Sequence, residues 1–289
     1  MRELKQVTVI GLGLLGGSIT LRVLRSFSGV TAIGFAHRDA TRRKARRLSV
    51  ASQISGDIAG CVADADIVIL ATPIGTFECI FRDIAPFLPA GCIVTDVGST
   101  KVLPHRWAAE YLPDSVYYVG SHPIAGSEQR GVEFARDDLF EKADCIITTT
   151  GKTDRRAVGV LKKFWSRLGC RVKFMTPAGH DRIFANVSHL PHLTAAALIN
   201  ANSIKDLQYS GKGFMDTSRV ASGPANIWSD VLMANSKNIS AGIDRITAEL
   251  HKLKKAVQDG NESEIERLLE AARNKRSQLI NRKISKEIS

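Results

Sequence analysis

Between residues 6 and 174, short runs of β-branched and apolar residues recur as VTVIGLG, TAIGF, DIVILATP, CIVTDVGS, VYYVGSHP, CIITTT and CRVKF, each parted from the next by a stretch of helical character. Such runs suit strands covered on both faces. Their interleaving with helices predicts repeated βαβ units in a mostly parallel sheet. After Pro177 the β-branched runs stop and the rest of the chain reads as helix, beginning with a long stretch from about Ala178 to Asn202. The pattern therefore divides the chain into an α/β part over 1–174 and an all-helical part over 175–289.

Near the C-terminus, Ile239, Ile243, Ile246, Leu250, Leu253 and Val257 fall three or four residues apart, which keeps them on one face of a helix. Gly260 ends that helix. Asn261 with Glu264 has the form of a capping box opening another helix, whose apolar face is Ile265, Leu268, Leu269 and Ala272. The pair predicts an antiparallel hairpin with an apolar seam that needs a partner, and a homodimer built through these C-terminal helices is the expectation.

At 289 residues, with 44% hydrophobic and 24% charged residues, the chain has ordinary globular composition and length for two domains. A net charge of +11 favours anionic ligands and says nothing of fold. Five cysteines, none in a C-x-x-C arrangement, argue against disulfides and cysteine-bound zinc and for a reducing compartment. Neither an export signal nor an apolar run long enough to span a membrane is evident, so a cytoplasmic protein is expected.

Gly11, Gly13 and Gly16 form G-x-G-x-x-G directly after a predicted strand and before a predicted helix, the setting in which this otherwise weak motif marks a dinucleotide site. The glycines admit backbone close to a pyrophosphate, and the helix start, with Leu14 and Leu15, offers free N–H groups to the phosphates. Thr72 and Pro73, after the third run, are further candidate contacts. The α/β part is thus expected to be a Rossmann-type domain.

An NAD site wants an acid at the end of the second strand, about 20 residues past the glycines. Phe35, Ala36, His37 and Arg38 stand there instead. Arg38, with Arg42 and Arg43 a turn later, suits the 2′-phosphate of NADP, so NADP is favoured over NAD, against the alternative that Arg42, Arg43, Arg46 and Arg47 are only the solvated face of a helix. His122 and Ser99 each follow a predicted strand at the edge facing the ligand crevice. A second cluster holds His180, Asp181, His189 and His192. His189 and His192 have the spacing of a metal pair but lack a matching third ligand, so no metal is expected.

The strings SHPIAGSE, HDRIFANVSHLPH and GFMDTSRVASGPANIW, behind GLGLLGGS, resemble the prephenate/arogenate dehydrogenases of tyrosine biosynthesis. The likeness runs through nearly the whole chain, although Pro224 falls one place early. It implies that His122 meets the ring hydroxyl of the substrate and that Ser99 stands between this histidine and the nicotinamide. It further implies that Arg219 and His192 bind carboxylates of a small dicarboxylate, that Glu128 lies at the mouth of the site, and that Trp228, His180, Asp181 and His189 pack around it. The reaction implied is oxidative decarboxylation of prephenate to 4-hydroxyphenylpyruvate.

Three alternatives stand beside this reading: arogenate as substrate, a 3-hydroxyacid dehydrogenase using Lys101, and a non-enzymatic dinucleotide-binding redox sensor. The last would use the basic tail RNKRSQLINRKISK on nucleic acid. Those charges alternate with Leu279, Ile280 and Ile284 as on a solvated helix face, so no nucleic-acid partner is expected.

Overall fold

The computed structural model describes residues 4–126 and 129–288, with the side chains of 282–288 left aside. Six parallel strands form the main sheet: β1 (Gln6–Ile10), β2 (Thr31–Phe35), β3 (Gln53–Ser55), β4 (Ile67–Leu70), β5 (Ile93–Asp96) and β6 (Tyr117–Tyr118). Their order is β3-β2-β1-β4-β5-β6. Connections start in the middle and run outward both ways, so the chain changes direction between β1 and β4, the place where open α/β sheets open a ligand crevice. Helices α1 (Leu14–Ser26), α2 (Asp39–Arg47), α3 (Ile58–Val62), α4 (Phe77–Ile84) and α5 (Val102–Tyr111) make the crossovers. The strands earn this position by composition: Val7, Val9, Ile67, Ile69, Val68 and Leu70 are fully buried, on both faces of the sheet.

The expected VYYVGSHP strand divides. Tyr117–Tyr118 pairs in parallel with β5, and Gly120–Pro123 leaves as β7 to join a second sheet with β8 (Asp144–Thr148) and β9 (Arg171–Met175). β7 runs antiparallel to β8, opposing His122 to Ile146. Helix α6 (Arg155–Arg167) links β8 to β9. The buried Ser121 hydroxyl accepts from Trp165 Nε1 at 3.0 Å and bonds Thr95 Oγ1 at 2.8 Å, which ties β7 to α6 and to β5. Because neighbouring side chains on a strand face opposite ways, anchoring Ser121 in the core turns His122 to the other face.

After Met175 only helices follow: α7 (Pro177–Phe184), a π-helical turn at Ala185–His189, α8 (Leu190–Asn200), α9 (Ile204–Leu207), α10 (Lys212–Ser218), a 3₁₀ turn at Arg219–Ser222, α11 (Ala225–Ala234), α12 (Ser236–Gln258) and α13 (Glu262–Ile288). The long helix expected over 178–202 is therefore α7 and α8 joined by the π turn, which shifts the register of the histidines it carries. The chain is an α/β Rossmann-type domain followed by helices, and it forms two compact units, 4–238 and 239–288.

In the second unit, Gly260 takes a φ of +62° between α12 and α13, and Asn261 Oδ1 accepts from Glu264 N at 3.1 Å. Glu264 does not complete the box; its carboxylate takes two bonds from Arg267. Ile243, Leu250, Val257 and Leu269 are exposed. Among the described residues no helix is long and apolar enough to cross a membrane.

Candidate active site

The glycine loop divides its labour between shape and access. Gly11 has a φ of +106°, and a Cβ there would lie 2.7 Å from Ala71 O and from Thr72 Cγ2, while a Cβ on Gly16 would lie 1.8 Å from Gly11 O. Both positions require glycine to let β1, the loop after β4 and α1 meet. A Cβ on Gly13 would meet nothing within 4 Å. Gly13 is also the N-cap of α1, where no side chain caps the helix and no acid stands in the first turn, so the N–H groups around Leu14 and Leu15 keep their positive end open to an anion. Thr72 and Pro73 border this opening after β4, with Thr72 Oγ1 2.8 Å from Thr76 Oγ1. A dinucleotide pyrophosphate fits this cradle.

At the end of β2, Ala36 is buried and His37 and Arg38 are exposed, Arg38 at the N-cap position of α2. Arg42 folds back on this turn: its Nη1 donates to Ala36 O at 2.9 Å and His37 O at 2.7 Å, and its Nη2 to Asp39 Oδ1 at 3.2 Å. Arg43 pairs with the same Asp39. Of the arginines proposed from sequence to read a 2′-phosphate, Arg42 is thus occupied in shaping the turn, and Arg38 stands at its exposed tip.

A chain of hydrogen bonds brings three residues from the sequence list together. His122 Nδ1 lies 2.9 Å from His180 Nε2, and His180 Nδ1 lies 2.8 Å from Asp181 Oδ1. Asp181 is itself held by the start of α5, accepting from Lys101 N at 2.7 Å and Val102 N at 2.8 Å, a carboxylate capping a helix N-terminus from 80 residues away. An ionised carboxylate only accepts, so His180 carries its proton on Nδ1 and accepts on Nε2, and His122 donates from Nδ1. That leaves the lone pair of His122 Nε2 for a substrate. Phe184 packs on both rings, 4.4 Å from His180 and 4.8 Å from His122 between centroids. Burial, then the positive charge of Lys101, holds His122 well below the ordinary imidazole value, and burial likewise lowers His180. Both rings are neutral at neutral pH. The bond that orients His122 comes from His180, and the backbone of Ser99 faces His189.

His189 and His192 meet different polar and aromatic neighbours. His189 Nδ1 lies 3.3 Å from Asn235 Nδ2, whose amide also donates to Asp181 O at 2.7 Å. Burial lowers His189 to about 4. His192 stacks on Trp228 at 3.7 Å between centroids with 9° between the planes. The backbone of Ser99 lies against the buried His189 and that of Val220 against His192. Gly223 had no place in the sequence list, yet a Cβ there would fall 2.3 Å from Trp228 Nε1 and 2.9 Å from His192 Cε1. Arg219 is exposed and opens the 3₁₀ turn before Gly223. Glu128 lies outside the described residues.

Lys101 is buried and its ammonium pairs with Asp96, also buried, so it is withdrawn from any substrate. That removes the residue on which a 3-hydroxyacid reading relied. The model of the prephenate dehydrogenase nucleotide-binding domain matches residues 20–174, and that of the prephenate dehydrogenase dimerization domain matches residues 176–271. The chain belongs to the prephenate dehydrogenase family. It is 31% identical to the cyclohexadienyl dehydrogenase of Zymomonas mobilis over 270 residues, 90% of this chain and 92% of that one. It is 31% identical over 287 residues to the prephenate dehydrogenase of Bacillus subtilis, 96% of this chain and 77% of that one. The crystal structure of A. aeolicus prephenate dehydrogenase with hydroxyphenyl propionate and NAD+ superposes with a TM-score of 0.89 at 30% identity, over 95% of this chain and 98% of that one. As a member of this family the chain is an NAD(P)-dependent dehydrogenase.

Proposed function

We propose that the protein oxidises and decarboxylates prephenate to 4-hydroxyphenylpyruvate, and that His122 takes the hydroxyl proton. The observation that carries this reading is the Asp181–His180–His122 chain, which leaves a neutral imidazole with its free nitrogen outward. A neutral acceptor is what the step needs. As hydride leaves the carbon bearing the ring hydroxyl, positive charge grows there, and moving the hydroxyl proton onto His122 Nε2 relieves it, a general-base contribution of roughly 10² to 10⁴ in rate. The electrons of the bond to the ring carboxylate then enter the ring, carbon dioxide departs, and the phenolate oxygen recovers its proton from His122. When bound, the nicotinamide supplies the hydride acceptor. Gly11, Gly13, Gly16, Leu14, Leu15, Thr72, Pro73 and Ser99 would hold that cofactor.

Arg219 and His192 are assigned to the substrate carboxylates, with Trp228 fixing the plane of His192. His189, His180 and Asp181 order the wall behind them. Arg38 supports a preference for NADP over NAD, since the acid in the turn it caps, Asp39, is engaged by Arg42 and Arg43. The exposed seam of Ile243, Leu250, Val257 and Leu269 supports a homodimer through the C-terminal helices. In this reading 1–174 binds the dinucleotide and 175–289 the substrate and the second subunit, and five free cysteines suit a cytoplasmic setting. Steady-state assays with prephenate and arogenate, each with NADP and NAD, test the reading. It expects prephenate-dependent reduction with equal amounts of carbon dioxide and 4-hydroxyphenylpyruvate, and it fails if prephenate reduces neither cofactor.

A further inference from the structure

Asn235 closes α11, and its buried side chain has a partner at each polar atom. Nδ2 donates to Asp181 O at 2.7 Å and lies 3.3 Å from His189 Nδ1, while Oδ1 accepts at 2.8 Å from the amide of Asn238 in the first turn of α12. A carbonyl oxygen only accepts, so the nitrogen of the amide, and not its oxygen, faces Asp181. The second hydrogen on that nitrogen serves His189, whose Nδ1 must then be the bare nitrogen of the ring. His189 therefore carries its proton on Nε2, enclosed from solvent, and the backbone of Ser99 lies against this ring.

The two acceptors stand at opposite ends of the π turn, Asp181 in the helix before it and His189 as its last residue. Within the turn Leu190 N bonds Ala185 O, one residue farther back than in an α-helix. Residues eight apart on an unbroken α-helix are about 80° out of line, and the one residue that a π turn absorbs brings them back to one face. A single amide from another helix thus clamps the turn along its length. Its grip falls on the main chain of Asp181, whose carbonyl also takes Ala185 N and whose carboxylate begins the chain through His180 to His122. A π turn competes with the ordinary α-helix, so its register needs such a hold.

We propose that Asn235 is a positioning residue for the reaction: its amide keeps the π turn in register, so that His180 stays aimed at His122, and fixes the His189 proton on Nε2. The proposal rests on His122 being the proton acceptor. Two substitutions in the intact protein test it. Asn235→Asp keeps the shape and turns the donor into an acceptor; Asn235→Ala removes the side chain without adding a buried charge, and it carries the test if the first variant does not fold. The ¹⁵N signals of the His189 ring, identified by their loss in His189→Gln, report which nitrogen bears the proton. In the wild type Nδ1 should be bare and Nε2 protonated, and in Asn235→Asp Nδ1 should gain a proton. Both variants should lose turnover with prephenate by about tenfold or more while KM stays within about threefold, as for a group that aims the reacting atoms and does not bind substrate. A wild-type ring protonated on Nδ1, or turnover within about threefold of wild type in either folded variant, overturns the proposal. Near-wild-type turnover in His122→Asn overturns instead the reading on which it rests, whatever the His189 ring shows.

Discussion

Trp228 and His192 lie face to face, 3.7 Å apart between ring centroids, across a position that only glycine can fill. Gly223 packs against both rings, so Gly223→Ala has to part the stack or bend the turn that carries it. Since backbone φ at Gly223 is −62°, the effect is one of space and not of chain conformation. The expected outcome is a rise in KM for prephenate of tenfold or so, about 1.4 kcal/mol of binding, with turnover changed much less. Steady-state kinetics checks this; an unchanged KM detaches the stack from substrate binding.

Arg219, in the turn just before, is the residue proposed to meet a carboxylate of the same substrate. Arg219→Ala removes a planar, doubly donating partner for a carboxylate, and KM should climb steeply, by about one to two decades, while cofactor affinity holds. Arg219→Lys should recover only part of the loss, because an ammonium keeps the charge but not the fork. Isothermal titration with a non-reacting dicarboxylate analogue measures the binding directly, and an unaltered affinity would place the carboxylate elsewhere.

Cofactor choice should separate Arg38 from Arg42, which the sequence offers as its helper. Arg42 spends its guanidinium on Ala36 O, His37 O and Asp39, so Arg42→Ala should loosen the turn and weaken both dinucleotides alike. Arg38→Ala should weaken NADP by about one to two decades and leave NAD nearly untouched. Rising salt should cut NADP affinity more than NAD affinity, for the same electrostatic reason. A wild type that uses NAD at least tenfold more efficiently at low salt contradicts the preference.

Stability should fall on the acid side before most carboxylates titrate. His105, bonded to Thr148 Oγ1 at 2.9 Å, and His189 are both lowered from 6.5 to about 4 by burial. Between those values the unfolded chain binds protons that the folded chain refuses. Stability from these groups is therefore complete above about pH 6.5 and is lost as pH falls toward about 4. By pH 5 each costs on the order of 2 kcal/mol. Urea midpoints at pH 7.5 and pH 5 should differ accordingly, and His105→Gln should remove one share of the difference, since His122, His180 and His192 are lowered by burial as well. Equal midpoints would mean that these rings are hydrated in the folded state.

The runs of Val and Ile in β1, β2, β4 and β5 announced the main sheet because each is apolar on both faces, which only a strand covered by helices tolerates. β3, three residues of Gln, Ile and Ser, carried no such signal. VYYVGSHP looked like one strand because a local pattern says how a segment is buried and not which strand it pairs with; the split at Val119 is decided by β8, some 25 residues on. The histidines were legible as members of motifs. Their wiring was not, since His122 and His180 stand 58 residues apart and nothing local to Phe184 shows that it packs on both rings. Gly223 was invisible because the need for a missing Cβ exists only once Trp228 and His192 have stacked.

The central claim is that a neutral His122, set by His180 and Asp181, accepts the hydroxyl proton. His122→Asn tests it most directly, because the amide keeps a hydrogen bond to substrate but takes no proton. With prephenate and saturating cofactor, turnover should drop by roughly 10² to 10⁴ while KM stays within about threefold of wild type. Turnover within threefold of wild type would contradict the account.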